Sequence, residues 1–149
     1  PNGYAIVTFD GPGHTFDFKA ARQPASYQLS VYAPDDVAAG DLSQTHVYVN
    51  VFNGSEKSLV RMRVGNRGDW ITLRKVEEFD PQYVAIRNRE MANDPDAKRP
   101  LNAPEPSAHL WKGSLPAGLE VGSHLIYTEA SDAYGRVHTA QRLVRILGQ

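Results

Sequence analysis

The stretch HVYVNVFNGSEKSLVRMRV, residues 46–64, contains two β-strand patterns separated by a turn signal. Valine occupies every second position in residues 46–52, and apolar side chains alternate with arginine in residues 59–64. A period of two is typical of a strand that buries one face. Between the two patterns, Asn53-Gly54-Ser55-Glu56 is rich in turn-forming residues, so we expect a hairpin tip there.

Similar patterns lie on both sides of this stretch. A turn cluster at residues 10–13 separates two apolar runs and predicts a hairpin. Pro34-Asp35-Asp36 is expected to end a strand, residues 115–122 to form a turn-rich connection, and residues 132–135 to form a tight turn. Further strands are predicted, in chain order, at residues 4–9, 14–19, 27–32, 70–76, 109–113, 123–130 and 136–147.

One segment follows a different period. Residues 81–91 have the spacing of an amphipathic helix, which Asp80 can cap and in which Pro81 suits the first turn. The proline-rich residues 92–107 predict a surface loop. Because strands and helices do not alternate along the chain, a doubly wound fold is not expected. The patterns predict one all-β domain over residues 1–149, an immunoglobulin-like β-sandwich with a short helix.

The composition limits the classes of function. The formal net charge of −1 provides no broad basic field, so we expect no nucleic-acid partner. The chain has no cysteine, which excludes disulfide frameworks, thiolate metal sites and cysteine nucleophiles. No run of about 18 apolar residues occurs, so no membrane insertion is expected. The chain starts with Pro1 rather than methionine, and we expect it to be a domain cut from a larger protein.

The residues that could carry chemistry are scattered. We therefore expect no catalytic and no metal-binding residue in this chain. A nucleophile elbow of the Gly-x-Ser-x-Gly type is absent, and the acidic residues do not follow a calcium-loop pattern. The histidines, which are too far apart in sequence to form a local metal-ligand pair, are His14, His46, His109, His124 and His138.

A smaller set of residues is a candidate docking or ligand surface. Lys19 and Arg22 could contact an anion or a neighbouring domain, although solvated cations at a strand exit are the favoured interpretation. Asn53 and Glu56 lie at the predicted turn, and loops at one end of a sandwich are the usual interaction surface. An exposed platform for a sugar is a further possibility, but large aromatic residues more often anchor a core. That platform would use Trp70, Trp111, Tyr48 and Tyr127.

Several segments together carry a family resemblance. They are Asn2-Gly3-Tyr4 with Phe9-Asp10-Gly11, residues 19–28, residues 49–58, and residues 111–116 with 132–136. This combination resembles the C-terminal domain of bacterial calcineurin-like metallophosphoesterases, and the resemblance covers nearly the whole chain. In that family a central two-metal catalytic domain is followed by this β-rich domain, often with another β domain in front.

The resemblance implies that the catalytic site and its two divalent metal ions belong to an upstream domain of the parent phosphohydrolase. The nearest approach to a metal motif here is Gly65-Asn66-Arg67-Gly68-Asp69, which has arginine where the family has a ligand histidine. We therefore expect a non-catalytic accessory domain without a cofactor of its own, whose partner is the catalytic domain of the same chain. The resemblance also suggests a periplasmic or cell-envelope location. The alternative is a carbohydrate- or ligand-binding module with a glycan or cell-envelope ligand.

Overall fold

The computed structural model describes residues 3–148, which form mostly β-strands. The strands are β1 (Gly3–Asp10), β2 (Gly13–Ala20), β3 (Leu29–Tyr32), β4 (Asp36–Ala38), β5 (His46–Val51), β6 (Leu59–Val64), β7 (Ile71–Thr72), β8 (Arg74–Phe79), β9 (Pro106–Ser114), β10 (Gly122–Ser131) and β11 (Val137–Leu147). A 3-10 segment, Ala39–Gln44, follows β4, and the helix α1 spans Pro81–Asn93.

Two larger sheets and one hairpin make up the domain. The five-stranded sheet has the order β4-β11-β10-β6-β7, and the four-stranded sheet has the order β3-β5-β9-β8. The strands β1 and β2 form a separate two-stranded sheet. Pairing is antiparallel except between β11 and β4, which run parallel. This arrangement confirms the predicted all-β sandwich.

The core lies between the two larger sheets. The alternating valines of β5 and the residues Val60, Met62 and Val64 of β6 point inward, so the two patterns in residues 46–64 each supply one wall. Trp111 of β9 is 2% exposed and belongs to the same cluster. Leu110 and Val76 are buried but stand outside this cluster. Because side chains alternate along a strand, Leu110 faces the opposite side of the four-stranded sheet from Trp111.

The predicted hairpin tip at residues 53–56 is wrong. β5 and β6 do not pair, and the turn between them carries the chain from one sheet to the other. A period of two shows which face of a strand is buried but not which strand is its neighbour. Gly54 is required in this crossing, because a Cβ there would lie 2.5 Å from the ring of Trp111.

The predicted strand at residues 70–76 is also corrected. It divides at the buried Leu73 into β7, which pairs with β6, and β8, which pairs with β9 in the other sheet. The sequence analysis also missed the three-residue strand β4, whose partner β11 lies about a hundred residues further along the chain.

The predicted helix and the first hairpin are confirmed. Residues 81–91 lie within α1, and the Asp80 carboxylate caps the helix by accepting a hydrogen bond from the Gln82 N–H at 2.9 Å. The hairpin turn falls at Gly11 and Pro12, where the positive φ of +57° at Gly11 suits glycine.

Candidate docking surface

The β1–β2 hairpin is the element that is least covered by the rest of the domain. Its register runs from Gly3 opposite Ala20 to Asp10 opposite Gly13. Within the described residues, β1 and β2 pair only with each other, so each strand has an edge without a neighbouring strand. A two-stranded hairpin alone is at best marginally stable in water, and its contacts with the body are therefore decisive.

The outer half of the hairpin exposes large apolar side chains. Phe9 and His14 are cross-strand neighbours, as are Val7 and Phe16, so these side chains share one face. The His14 ring lies 6.3 Å from that of Phe9 and 5.5 Å from that of Phe16. We call the exposed apolar side chains of this face the tip patch; it consists of Val7 (40% exposed), Phe9 (77%) and Phe16 (36%). Tyr4 and Ile6 are exposed on the opposite face of the hairpin, where they border the body of the domain.

The inner half of the hairpin is packed against the body. The Phe18 ring lies 5.5 Å from that of Phe52, which in turn lies 5.0 Å from that of Tyr27. The Gln28 side chain donates to the Phe18 carbonyl at 2.8 Å, and Ala20 is fully buried. The hairpin is therefore fixed at its base while its tip projects.

A second attachment comes from the turn between β10 and β11. The main-chain N–H of Phe16 donates to the Tyr134 hydroxyl at 3.0 Å, and Arg136 Nη2 donates to the Phe16 carbonyl at 3.0 Å. Arg136 Nη1 also pairs with the Asp17 carboxylate. At Phe16 these two side chains take the place of a neighbouring strand, so the open edge of β2 is blocked near its middle.

Asp132 holds this attachment in place from beneath. Its Oδ1 accepts the N–H groups of Tyr134 and Arg136, both at 2.9 Å, and its Oδ2 accepts from Arg136 Nε. Burial of Asp132 alone would raise its pKa. The hydrogen bonds from the Arg136 side chain and from the two backbone N–H groups outweigh that effect and hold the pKa below its ordinary value. The carboxylate is therefore ionised at neutral pH. We call Asp132, Tyr134 and Arg136 the latch.

Three of the predicted surface residues contact or adjoin the hairpin, Lys19 and Arg22 at its base and Asn53 at its middle. Lys19 Nζ donates to the Ala20 carbonyl at 3.0 Å and to the Gln23 carbonyl, so it closes the loop that follows β2. Arg22 in that loop is exposed and has a φ of +61°, an uncommon conformation for a residue other than glycine. Asn53 donates from its side chain to the Phe16 carbonyl at 3.3 Å.

The other three predicted surface residues lie elsewhere. Glu56 pairs with Lys75 at 2.7 Å, and its side chain is 84% exposed. Trp111 is in the core, as the favoured interpretation expected. Trp70 is half-buried on the five-stranded sheet, where the guanidinium groups of Arg61 and Arg63 lie 4.6 and 5.0 Å from its ring centroid. These residues do not form one surface with the hairpin.

The tip patch and the latch were missed by the sequence analysis. A signal for the patch was present, because Tyr4, Ala5, Ile6, Val7 and Phe9 make β1 apolar on both of its faces. A strand that is apolar on both faces and covered on neither is unusual for a soluble domain. The latch gave no such signal, because Tyr134 and Phe16 are 118 residues apart in sequence.

The described part of the chain has neither a cluster of metal-ligand side chains nor a membrane-spanning helix. Among residues 3–148, no three histidine, aspartate or glutamate side chains are close enough together to hold a metal ion. Within the same residues, no helix is both long and apolar enough to cross a membrane.

By its architecture the chain is a β-sandwich domain with a projecting amino-terminal hairpin. A family model described as the C terminal of calcineurin-like phosphoesterase matches residues 1–138. The chain therefore belongs to this family of phosphoesterase C-terminal domains, which confirms the resemblance drawn from the sequence. The matched region includes the hairpin, the latch and all strands up to the start of β11. A search of curated proteins finds no match to the chain.

Proposed function

We propose that this chain is a non-catalytic accessory domain, which packs through the tip patch against the upstream two-metal catalytic domain and steadies it. The observation that carries the proposal is the exposed apolar tip of a hairpin whose base is firmly attached. Contiguous exposed apolar surface commonly marks a protein interaction site. Large aromatic side chains such as Phe9 are the usual anchors of such sites.

The family supports the choice of partner. Where such a domain follows a catalytic domain, the polypeptide enters it from its amino-terminal side, and β1 is the first strand on that side. The hairpin is then the element of the C-terminal domain that lies nearest the connection. Interfaces between domains of one chain typically bury about 600–1,500 Å², so we expect the surroundings of the hairpin to take part in docking as well.

The charged side chains near the hairpin favour an accessory role over a catalytic one. Arg136 and Asp132 are committed to each other and to the hairpin main chain. On the other sheet, Lys112 and Glu78 form an ion pair at 3.0 Å, and the hydrogen bond between them lowers the pKa of Glu78. These pairings give the four side chains a structural role, which is what an accessory domain requires.

The aromatic residues first considered for a glycan platform do not support that alternative. Trp111 is buried, and the Tyr48 hydroxyl donates to Glu78 at 3.1 Å. Trp70 and Tyr127 are separated by Arg63, whose guanidinium lies 5.0 and 5.2 Å from their ring centroids. These residues do not offer the coplanar exposed rings that a sugar platform requires.

The test uses the parent phosphoesterase and the double variant Phe9→Ser/Val7→Ser, which removes two side chains of the same hairpin face. We expect the variant to weaken association between separately produced catalytic and C-terminal domains at least about thirtyfold, because each anchor residue at an interface contributes about 2 kcal/mol or more. Calorimetric titration measures the affinity, and hydrolysis of a generic phosphoester with manganese measures the activity of each part.

The matched control is Leu143→Ser, which removes a residue that is 56% exposed on the five-stranded sheet. It should leave the association unchanged. Equal affinity for the native chain and the hairpin variant would show that the tip patch is not the docking surface. Phosphoesterase activity in the isolated C-terminal domain would show that the domain is not an accessory one.

A further inference from the structure

A cavity of about 440 Å³ lies on the outer side of the four-stranded sheet, beside the first turn of α1. Its walls include Ser30 of β3, Asn50 of β5 and the helix cap Asp80. Ser30 and Asn50 are cross-strand partners, so both side chains leave the sheet on the same face. The volume lies within the range of about 300–1,000 Å³ that is typical of small-molecule sites.

The polar wall of this cavity is fixed in position. Asp80 Oδ1 accepts the Gln82 N–H at 2.9 Å, and Oδ2 accepts from the Asn50 side-chain amide at 2.7 Å. These two bonds orient the carboxylate, yet each of its oxygens keeps a further acceptor site. Asn50 and Ser30, whose side chains carry further donors and acceptors, line the same cavity. Closely spaced acceptors and donors of this kind suit adjacent hydroxyl groups on one ligand.

Two aromatic rings complete the walls, and both are held without help from a ligand. Tyr27 packs against Phe52, with ring centroids 5.0 Å apart. Tyr83 donates from its hydroxyl to the Asn102 carbonyl at 3.0 Å. Rings held in this way offer apolar faces against which the C–H face of a sugar ring can pack.

The charge of the cavity selects among ligands. Asp80 forms no salt bridge within residues 3–148, so a phosphate or phosphoester would meet an unpaired negative charge. The positive end of α1 offsets part of that charge, which weakens the attraction for cations. Burial and the charge of Asp80 raise the pKa of Tyr27, so its hydroxyl remains a donor at neutral pH.

We propose that this cavity binds a neutral polyhydroxylated ligand such as a sugar ring, with Asp80 accepting hydrogen bonds from two of its hydroxyl groups. The site is separate from the tip patch and does not depend on docking. A domain with both would hold its phosphoesterase near a carbohydrate through one face while contacting the catalytic domain through another.

The test is a binding screen of the 149-residue chain against methyl glycosides of glucose, galactose, mannose and N-acetylglucosamine by saturation-transfer NMR. Methyl phosphate and tetramethylammonium, whose methyl protons the experiment can observe, serve as the charged probes. We expect saturable binding of at least one glycoside and of neither ion. Absence of glycoside binding, or binding of an ion in preference, would overturn the proposal.

The variant Asp80→Asn keeps a side chain that caps a helix equally well, so the fold should be retained. It should nevertheless raise the Kd for the bound glycoside about tenfold or more, because hydrogen bonds to an ionised acceptor are roughly twice as strong as neutral ones. Tyr27→Phe should also weaken binding, whereas Asp41→Asn, on the 3-10 segment outside the cavity, should not. An unchanged glycoside affinity in Asp80→Asn would refute the role of Asp80 as an acceptor for the ligand.

Discussion

Replacing Arg136 with alanine should raise the open population of the β1–β2 hairpin more than that of the two larger sheets. On the hairpin, the substitution removes the hydrogen bond to the Phe16 carbonyl and the ion pair with Asp17. It also removes the Arg136 Nε bond to the buried Asp132 carboxylate, a loss that falls on the turn between β10 and β11 and is additional to the hairpin terms. The Arg136 side chain is 43% exposed, so the ion pair contributes at most about 1 kcal/mol. The carbonyl bond adds about 0.5–1.5 kcal/mol. A combined loss of about 1–2 kcal/mol corresponds to a five- to thirtyfold larger open population of the hairpin.

Native-state amide hydrogen exchange measures this population directly. We expect amides of β1 and β2 to exchange about five- to thirtyfold faster in Arg136→Ala, with a smaller change for amides of β6 and β10. The control is Arg145→Ala, which breaks an exposed pair with Asp36 at the β11–β4 edge and should leave the hairpin unaffected. The reasoning is refuted if hairpin exchange is the same in Arg136→Ala as in the native chain, or if all strands lose protection equally.

Three further predictions concern stability. Gly54→Ala should destabilise the domain by about 1–3 kcal/mol in urea denaturation, because overpacking costs that much in a filled core and a Cβ at this position would meet the Trp111 ring at 2.5 Å. Gly148→Ala is its control, since the nearest atom there is 3.9 Å away, and a loss no larger than the control's would contradict the argument. Trp111→Ala should cost about 3–5 kcal/mol in the same assay, and a loss below about 1 kcal/mol would show that the ring is not a core anchor. The pKa of Asp132 is lowered on folding, so its contribution is present above the unfolded value of about 3.9 and is lost as pH falls through the folded value. Urea titrations at several pH values should show that the free energy of unfolding falls less on acidification in Asp132→Asn than in the native chain. The same dependence of that free energy on pH in both proteins would count against an ionised Asp132 in the latch.

The parts of the fold that the sequence predicts are those determined by nearby residues. The helix α1 depends on Asp80 and on the following turn, and the first hairpin depends on the glycines around Pro12. Both were found because their signals lie within a few residues of the structure they specify. The alternation in residues 46–64 likewise showed which side chains enter the core.

The choice of neighbouring strand was not predictable in this way. β5 and β6 carry the same inward alternation whether they pair in one sheet or face each other across the core. The division at Leu73 has the same origin, because an apolar residue can continue a strand or fill the gap between two sheets. In the candidate site, Lys19 was identified as a cation at a strand exit and Asn53 as a turn residue, but their partners Gln23 and Phe16 are set by tertiary structure.

The latch explains how an exposed apolar hairpin tip can be held ready for docking. An unattached hairpin would sample many orientations, and docking would have to overcome the entropy of ordering it. Attachment through Phe52 at the base and Arg136 at the middle holds the tip in one orientation before a partner arrives. If the tip patch docks as proposed, Arg136→Ala should therefore weaken association although Arg136 lies outside the patch. Its effect should appear mainly as a slower association rate, whereas Phe9→Ser should mainly speed dissociation, since losses of direct contact are expressed chiefly in the off-rate.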